Sequence, residues 1–210
     1  MNLINKLVYN IRRFFRKRKV TNKKGGISII SSNCLGGMVS HDLGLQFKSP
    51  FVNLWLSPSD FVKFIMNFDD YIAKDIVFIE SDKNYPVGKV GDIMINFMHY
   101  VSKEEAKRKW EERKKRINKD NLFIVCSERD GCEYSDLLSF DSLPFKNKII
   151  FTHKYYDNIE SSFCIKGYEN EQELGDIFAW QNFYSGKRVY DQFDFLAWLN
   201  HRKYENRHSK

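Results

Sequence analysis

Three short segments with apolar centres constrain this chain more than any other feature: ISIIS at 27–31, NLFIVCS at 121–127 and NKIIFTHK at 147–154. Runs without polar alternation fit strands covered on both faces, the usual condition of a parallel sheet. Amphipathic stretches lie between them. Residues 34–43 read as a helix ending near Gly44, and Ser57-Pro58 opens another, to about Phe68, with a capping serine and proline at the first helical position. Residues 102–117 form the clearest helix, Ser102 and Glu105 making a capping box and acids preceding bases. Further helices are expected around 134–140 and 193–200, and further strands at 51–56, 75–81 and 92–100, with YPVG between the last two as a turn. Strands alternating with helices predict a single α/β domain over residues 25–200, with a mainly parallel, Rossmann-like sheet flanked by helices. At 210 residues and 42% hydrophobic, the chain is large enough for one such core. A polar tail, 201–210, follows.

The formal charge of +7 is unevenly placed. Residues 1–24 hold nine Lys or Arg and no acid, so the other 186 residues are close to neutral, at −2. A near-neutral domain argues against nucleic acid as a partner. In the basic segment, Leu3, Leu7, Val8, Ile11, Phe14 and Phe15 recur at helical spacing. Such a helix can lie in an anionic membrane interface; a solvated tail, or a helix packed on the domain with its charges in water, are the other readings. Lys23-Lys24-Gly25-Gly26 reads as a hinge before the domain. The four cysteines, Cys34, Cys126, Cys132 and Cys164, contain no CxxC pair, which favours a reducing, cytoplasmic setting over a disulfide or zinc framework. No apolar run long enough to span a membrane occurs, so the expected location is the cytoplasm, and the membrane-interface reading of residues 1–24 would place the chain at the inner face of the cytoplasmic membrane.

In open parallel sheets, ligands bind beyond the carboxyl ends of the strands. Asn33 and Cys34 follow the first expected strand, His99 follows DIMINF, Glu128, Arg129 and Asp130 follow LFIV, and His153 and Lys154 follow KIIF. At a helix start, a Cys34 thiol would meet the positive end of the helix dipole and ionise more readily, and Gly36 and Gly37 would let a substrate or another backbone approach. A buried structural cysteine beside a tight turn is the competing reading. His99 and His153 are candidate bases, Asp130 an orienting acid, and Asn33, Glu128, Arg129 and Lys154 candidate substrate contacts. A second chemistry reads Glu128-Arg129-Asp130 as the acid-x-acid motif with which nucleotide-sugar glycosyltransferases hold a divalent cation, the one cofactor these residues suggest. No dinucleotide, phosphate-loop or HExxH motif occurs. The aromatics from Trp180 to Trp198 suit core packing or a sugar-stacking platform.

The segments SNCLGG with LGLQFKSPFVNL, YPVGKVGDIMINFMHY, KWEERKKRIN, SERDGC, LPFKNKIIFTHK and SSFCIKG with YDQFDFLAWLN resemble an uncharacterised bacterial domain-of-unknown-function family often labelled exopolysaccharide biosynthesis protein. The resemblance spans roughly residues 25–200 and implies a sugar or lipid-linked sugar as substrate. A more distant likeness, to a bacterial family described as papain-like cysteine peptidases, implies Cys34 as nucleophile and His99 as base; Leu35 stands where that family would have an aromatic residue. The expectation is an enzyme of surface-polysaccharide assembly that modifies or transfers a group through a Cys-His site. A metal-dependent glycosyltransferase and a non-catalytic membrane-docked scaffold are its alternatives.

Overall fold

The computed structural model describes residues 3–22 and 25–201. Its centre is a four-stranded sheet of β1 (Ser28–Ser31), β5 (Leu122–Ser127), β6 (Lys148–Thr152) and β7 (Ser162–Cys164), adjacent in that order and all parallel. A smaller antiparallel sheet joins β2 (Ile76–Ile79), β3 (Val87–Val90) and β4 (Ile93–Asn96). Among the described residues the α-helices are α1 (Leu3–Arg18), α2 (Leu35–Asp42), α3 (Pro58–Met66), α4 (Phe68–Ala73), α5 (Lys103–Lys114), α6 (Tyr134–Asp141) and α7 (Phe195–Leu199). The α/β expectation holds: the apolar runs form β1, β5 and β6, and their side chains alternate between two cores. Ile30, Ile124, Cys126 and Ile150 face a core shared with α3 to α6 and the antiparallel sheet. Ile29, Phe123, Val125, Ile149 and Phe151 face the other, against α2, α7 and the C-terminal aromatics. Burial on both faces is why these runs show no polar alternation.

Several expectations are corrected. The YPVG turn opens β3, which pairs with β2 on one side and β4 on the other, Gly88 lying so close to Ile76 that a Cβ would come within 2.9 Å of its Cδ1. Residues 51–56 form a splice between the two sheets instead of a strand: Trp55 exchanges backbone hydrogen bonds with Asn96 (2.8 and 2.9 Å), while Leu56 N donates to Ser32 O (3.0 Å). That splice fixes the end of β4 beside the end of β1. Both expected serine caps form, Ser57 Oγ accepting from Asp60 N and Ser102 Oγ from Glu105 N, each at 3.2 Å, but the Glu105 carboxylate accepts from Val101 N (3.5 Å) instead of closing the capping box on Ser102 N. Lys23 and Lys24 of the expected hinge, and residues 202–210 of the expected tail, lie outside the described residues. Among the described residues, no helix is long and apolar enough to cross a membrane.

Candidate functional site

A cleft of about 460 Å³ opens at the carboxyl ends of β1 and β5, where the antiparallel sheet leans over them. The large sheet supplies Asn33 and Cys34 from the β1–α2 turn and Arg129 and Asp130 from the loop after β5. Across the cleft stand Met98 and His99 beyond β4, Tyr85 before β3, and Trp55 of the splice. Asp176 and Phe178, from the irregular segment before α7, complete the wall. Of the expected site residues, the fold thus gathers Asn33, Cys34, His99, Arg129 and Asp130 in one cavity although they are up to 97 positions apart in sequence.

The β1–α2 turn is tightly wired. Ser31 Oγ donates to Asn33 O (2.5 Å) and accepts from Gly36 N (2.9 Å), and Asn33 Oδ1 accepts from Leu35 N (3.0 Å). Asn33 Nδ2 reaches Ser127 Oγ at the end of β5 (3.3 Å), tying the two strand ends together. These bonds occupy the first free N–H groups of α2, so Cys34 makes no capping hydrogen bond. The expected depression of its pKa does not occur: burial pushes the Cys34 thiol up. The two glycines serve packing instead of substrate access. A Cβ on Gly36 would stand 2.8 Å from Ser31 Oγ, and one on Gly37 3.2 Å from Val52 Cγ1.

Asp130 has a left-handed backbone (φ 60°) and is followed by Gly131 in the same region (φ 82°). A non-glycine residue in that conformation carries some strain and persists where its surroundings fix it. Its N–H donates to Glu173 Oε2 (2.8 Å), its Oδ2 accepts from Trp55 Nε1 (3.2 Å), and Arg129 Nε stands 3.3 Å from the same oxygen. Arg129 is itself held by Gly175 O (3.1 Å). Asp130 therefore links the loop after β5 to the inter-sheet splice. His99 is exposed on the opposite wall.

The structure separates the other expected residues from this cleft. Glu128 alternates away from Ser127 and turns into the interior, where its Oε2 accepts from His153 N (2.9 Å) and lies 2.7 Å from His153 Nδ1, while its Oε1 accepts from the Tyr156 hydroxyl. His153 is 4% exposed, so it is a buried partner of Glu128 and not a base facing the cleft. Burial and the adjacent carboxylate both raise the Tyr156 phenol pKa. The acid-x-acid pair is split for the same reason, with only Asp130 lining the cavity. Lys154 is exposed and lies over the Tyr156 ring at 5.4 Å. Cys126 is sealed inside β5, its pKa pushed up to about 12 by burial. Among the described residues, no group of three or more His, Cys, Asp or Glu side chains is placed to hold a metal ion. Trp55, Tyr85, Met98, Asp176 and Phe178 were not foreseen as lining residues, because only the splice, the position of the second sheet and the path of the irregular segment before α7 bring them there. Tyr190, Phe193, Phe195 and Trp198 are core residues, which removes them from any stacking platform.

A family model described as "Domain of unknown function (DUF1919)" matches residues 3–200. An uncharacterised protein of Haemophilus influenzae is 49% identical over 185 residues, covering 88% of each chain. The match runs through α1, the splice and every segment that lines the cleft, and the chain belongs to the DUF1919 family.

Proposed function

We propose that this protein is an enzyme of bacterial surface-polysaccharide assembly, acting at the inner face of the cytoplasmic membrane on a sugar or lipid-linked sugar in the cleft beyond β1 and β5. The observation that carries this reading is the composition of the cleft. A thiol, an imidazole and an Arg–Asp pair converge from separate segments beside Trp55, Tyr85 and Phe178. Aromatic faces pack on the C–H faces of a sugar ring, while Asn33, Arg129, Asp130 and Asp176 offer hydrogen bonds to its hydroxyls. The raised thiol pKa means that Cys34 rests protonated and needs a base at the moment of reaction. In the proposed step, His99 takes the Cys34 proton as sulfur bonds to the transferred group, and returns it to the departing oxygen.

The test is polysaccharide output in cells carrying Cys34→Ala, Cys34→Ser, His99→Ala or Asp130→Asn, with each protein's melting temperature checked alongside. Loss of output in folded variants is expected; normal output from both Cys34 variants would refute a thiol mechanism. A second reading, a nucleotide-sugar glycosyltransferase, is favoured by one observation: two carboxylates, Asp130 and Asp176, line the cleft. It predicts that a nucleotide sugar with Mn²⁺ raises the melting temperature and that Asp130→Asn removes the rise.

A further inference from the structure

Helix α1 grips the domain with its polar face. Asn5 is buried, its Nδ2 donating to Asn182 O (2.6 Å) and its Oδ1 accepting from Gly186 N (3.0 Å). The Tyr9 hydroxyl bonds Asp42, and its ring meets Trp180 edge-on at 5.6 Å. Arg16 Nη1 pairs with Asp191 Oδ1 at 2.7 Å, Arg12 Nη1 donates to Gly186 O (2.6 Å), and Arg13 Nε donates to His41 O (3.0 Å). The apolar side chains point elsewhere: Leu3, Leu7, Ile11, Phe14 and Phe15 are between 49% and 79% exposed. At 3.6 residues per turn these five fall in one arc of about 120°. A surface helix ordinarily buries such an arc against its own domain. Here the arc is turned out, so of the readings open to this segment, the helix packed on the domain by its apolar side with its charges in water does not describe α1.

We propose that α1 is an in-plane membrane helix, whose apolar ridge enters the interface of an anionic lipid bilayer while its polar face stays clamped to the domain. Charge decides between lipid and other occupants. Residues 1–24 carry nine bases and no acid, and Lys6, Lys17, Arg18 and Lys19 are exposed around the ridge. A second copy would bring two acid-free basic helices face to face, whereas anionic headgroups complement them. At 16 residues the helix would lie along about 24 Å of surface. The clamp also sets the cleft: Asp176 and Phe178 line the cavity, and the same segment continues into Trp180, Gly186 and Asp191, which hold α1. The cavity therefore rides at a fixed setting beside the bilayer, where a lipid-linked saccharide would be presented. That last consequence rests on the function proposed above; membrane binding does not.

The test is co-sedimentation of the full chain with vesicles of mixed phosphatidylglycerol and phosphatidylcholine, and with vesicles of phosphatidylcholine alone. We expect binding to the anionic vesicles at least about tenfold above that to the neutral ones, weakened by added salt. The triple variant Leu7→Gln, Ile11→Gln, Phe15→Gln should bind about tenfold less with an unchanged melting temperature, because these side chains lie outside the packed interior. Phe15→Gln alone should show a smaller loss in the same direction. Cys34→Ala should bind like the natural chain, which keeps failure of the cleft proposal distinct from failure of this one. Three results would each overturn it: no binding to anionic vesicles, undiminished binding by the folded ridge variants, or a dimer in solution that the triple variant abolishes.

Discussion

At Cys34, two effects that a sequence cannot weigh against each other compete. A helix start lowers a thiol pKa, and burial raises it; here Ser31 and Asn33 have already taken the leading N–H groups, so burial wins. The direction fixes a pH dependence. A thiol whose folded pKa lies above its unfolded value is neutral below both, and the stability this lends is present at neutral pH and lost as pH rises through the folded pKa. Alkylation of Cys34 by iodoacetamide, followed by peptide mass spectrometry, should therefore still climb with pH beyond about 8.5, where a free cysteine is half ionised. A plateau well below that point would reveal a thiolate held by His99 in the resting protein and would overturn the resting-thiol part of the mechanism.

Among the elements, those whose identity is written in consecutive residues were legible: β1, β5 and β6 from their apolar runs, α3 and α5 from their caps. β7, three residues long, pairs only because β6 lies beside it, and the 51–56 splice looks like a strand because Leu54 and Leu56 are fully buried between sheets. The candidate site was half legible for the same reason. Strand ends announced Asn33, Cys34 and Asp130, while the rotation that sends Glu128 and His153 inward depends on a neighbouring strand. Gly36 is the element-scale test of how α2 holds Cys34. Alanine there would favour the helix by about 1 kcal/mol, yet its Cβ would press on Ser31 Oγ at 2.8 Å and Ile29 Cγ2 at 3.1 Å, both buried. Overpacking should dominate. Gly36→Ala is expected to cost about 1–3 kcal/mol net, a drop in melting temperature of roughly 3–10 °C, and to reduce activity by displacing the turn.

For the whole molecule, the cleft exists only while the antiparallel sheet stays fastened to the parallel one, since His99, Met98 and Tyr85 come from the former and Asn33 and Cys34 from the latter. The main fastener is an aromatic cluster centred on Trp110 of α5, 1% exposed, with ring centroids 5.7 Å from Phe51, 6.1 Å from Phe97 and 6.4 Å from Phe64. Those partners belong to the splice, the end of β4 and α3, so one side chain braces the two segments that carry Trp55, Met98 and His99. Trp110→Ala should destabilise by about 3–5 kcal/mol, through lost burial and a cavity that the surrounding rings cannot close. Phenylalanine separates packing from polarity at the same position. Trp110 Nε1 is buried with no hydrogen-bond partner among the described residues, so Trp110→Phe loses volume but also removes an unsatisfied donor, a relief worth about 1–3 kcal/mol. Denaturant unfolding should therefore place Trp110→Phe much nearer the natural chain than Trp110→Ala. Equal losses in the two variants would mean that the indole N–H has a partner after all, and that the fastener is a hydrogen bond as well as a packed ring.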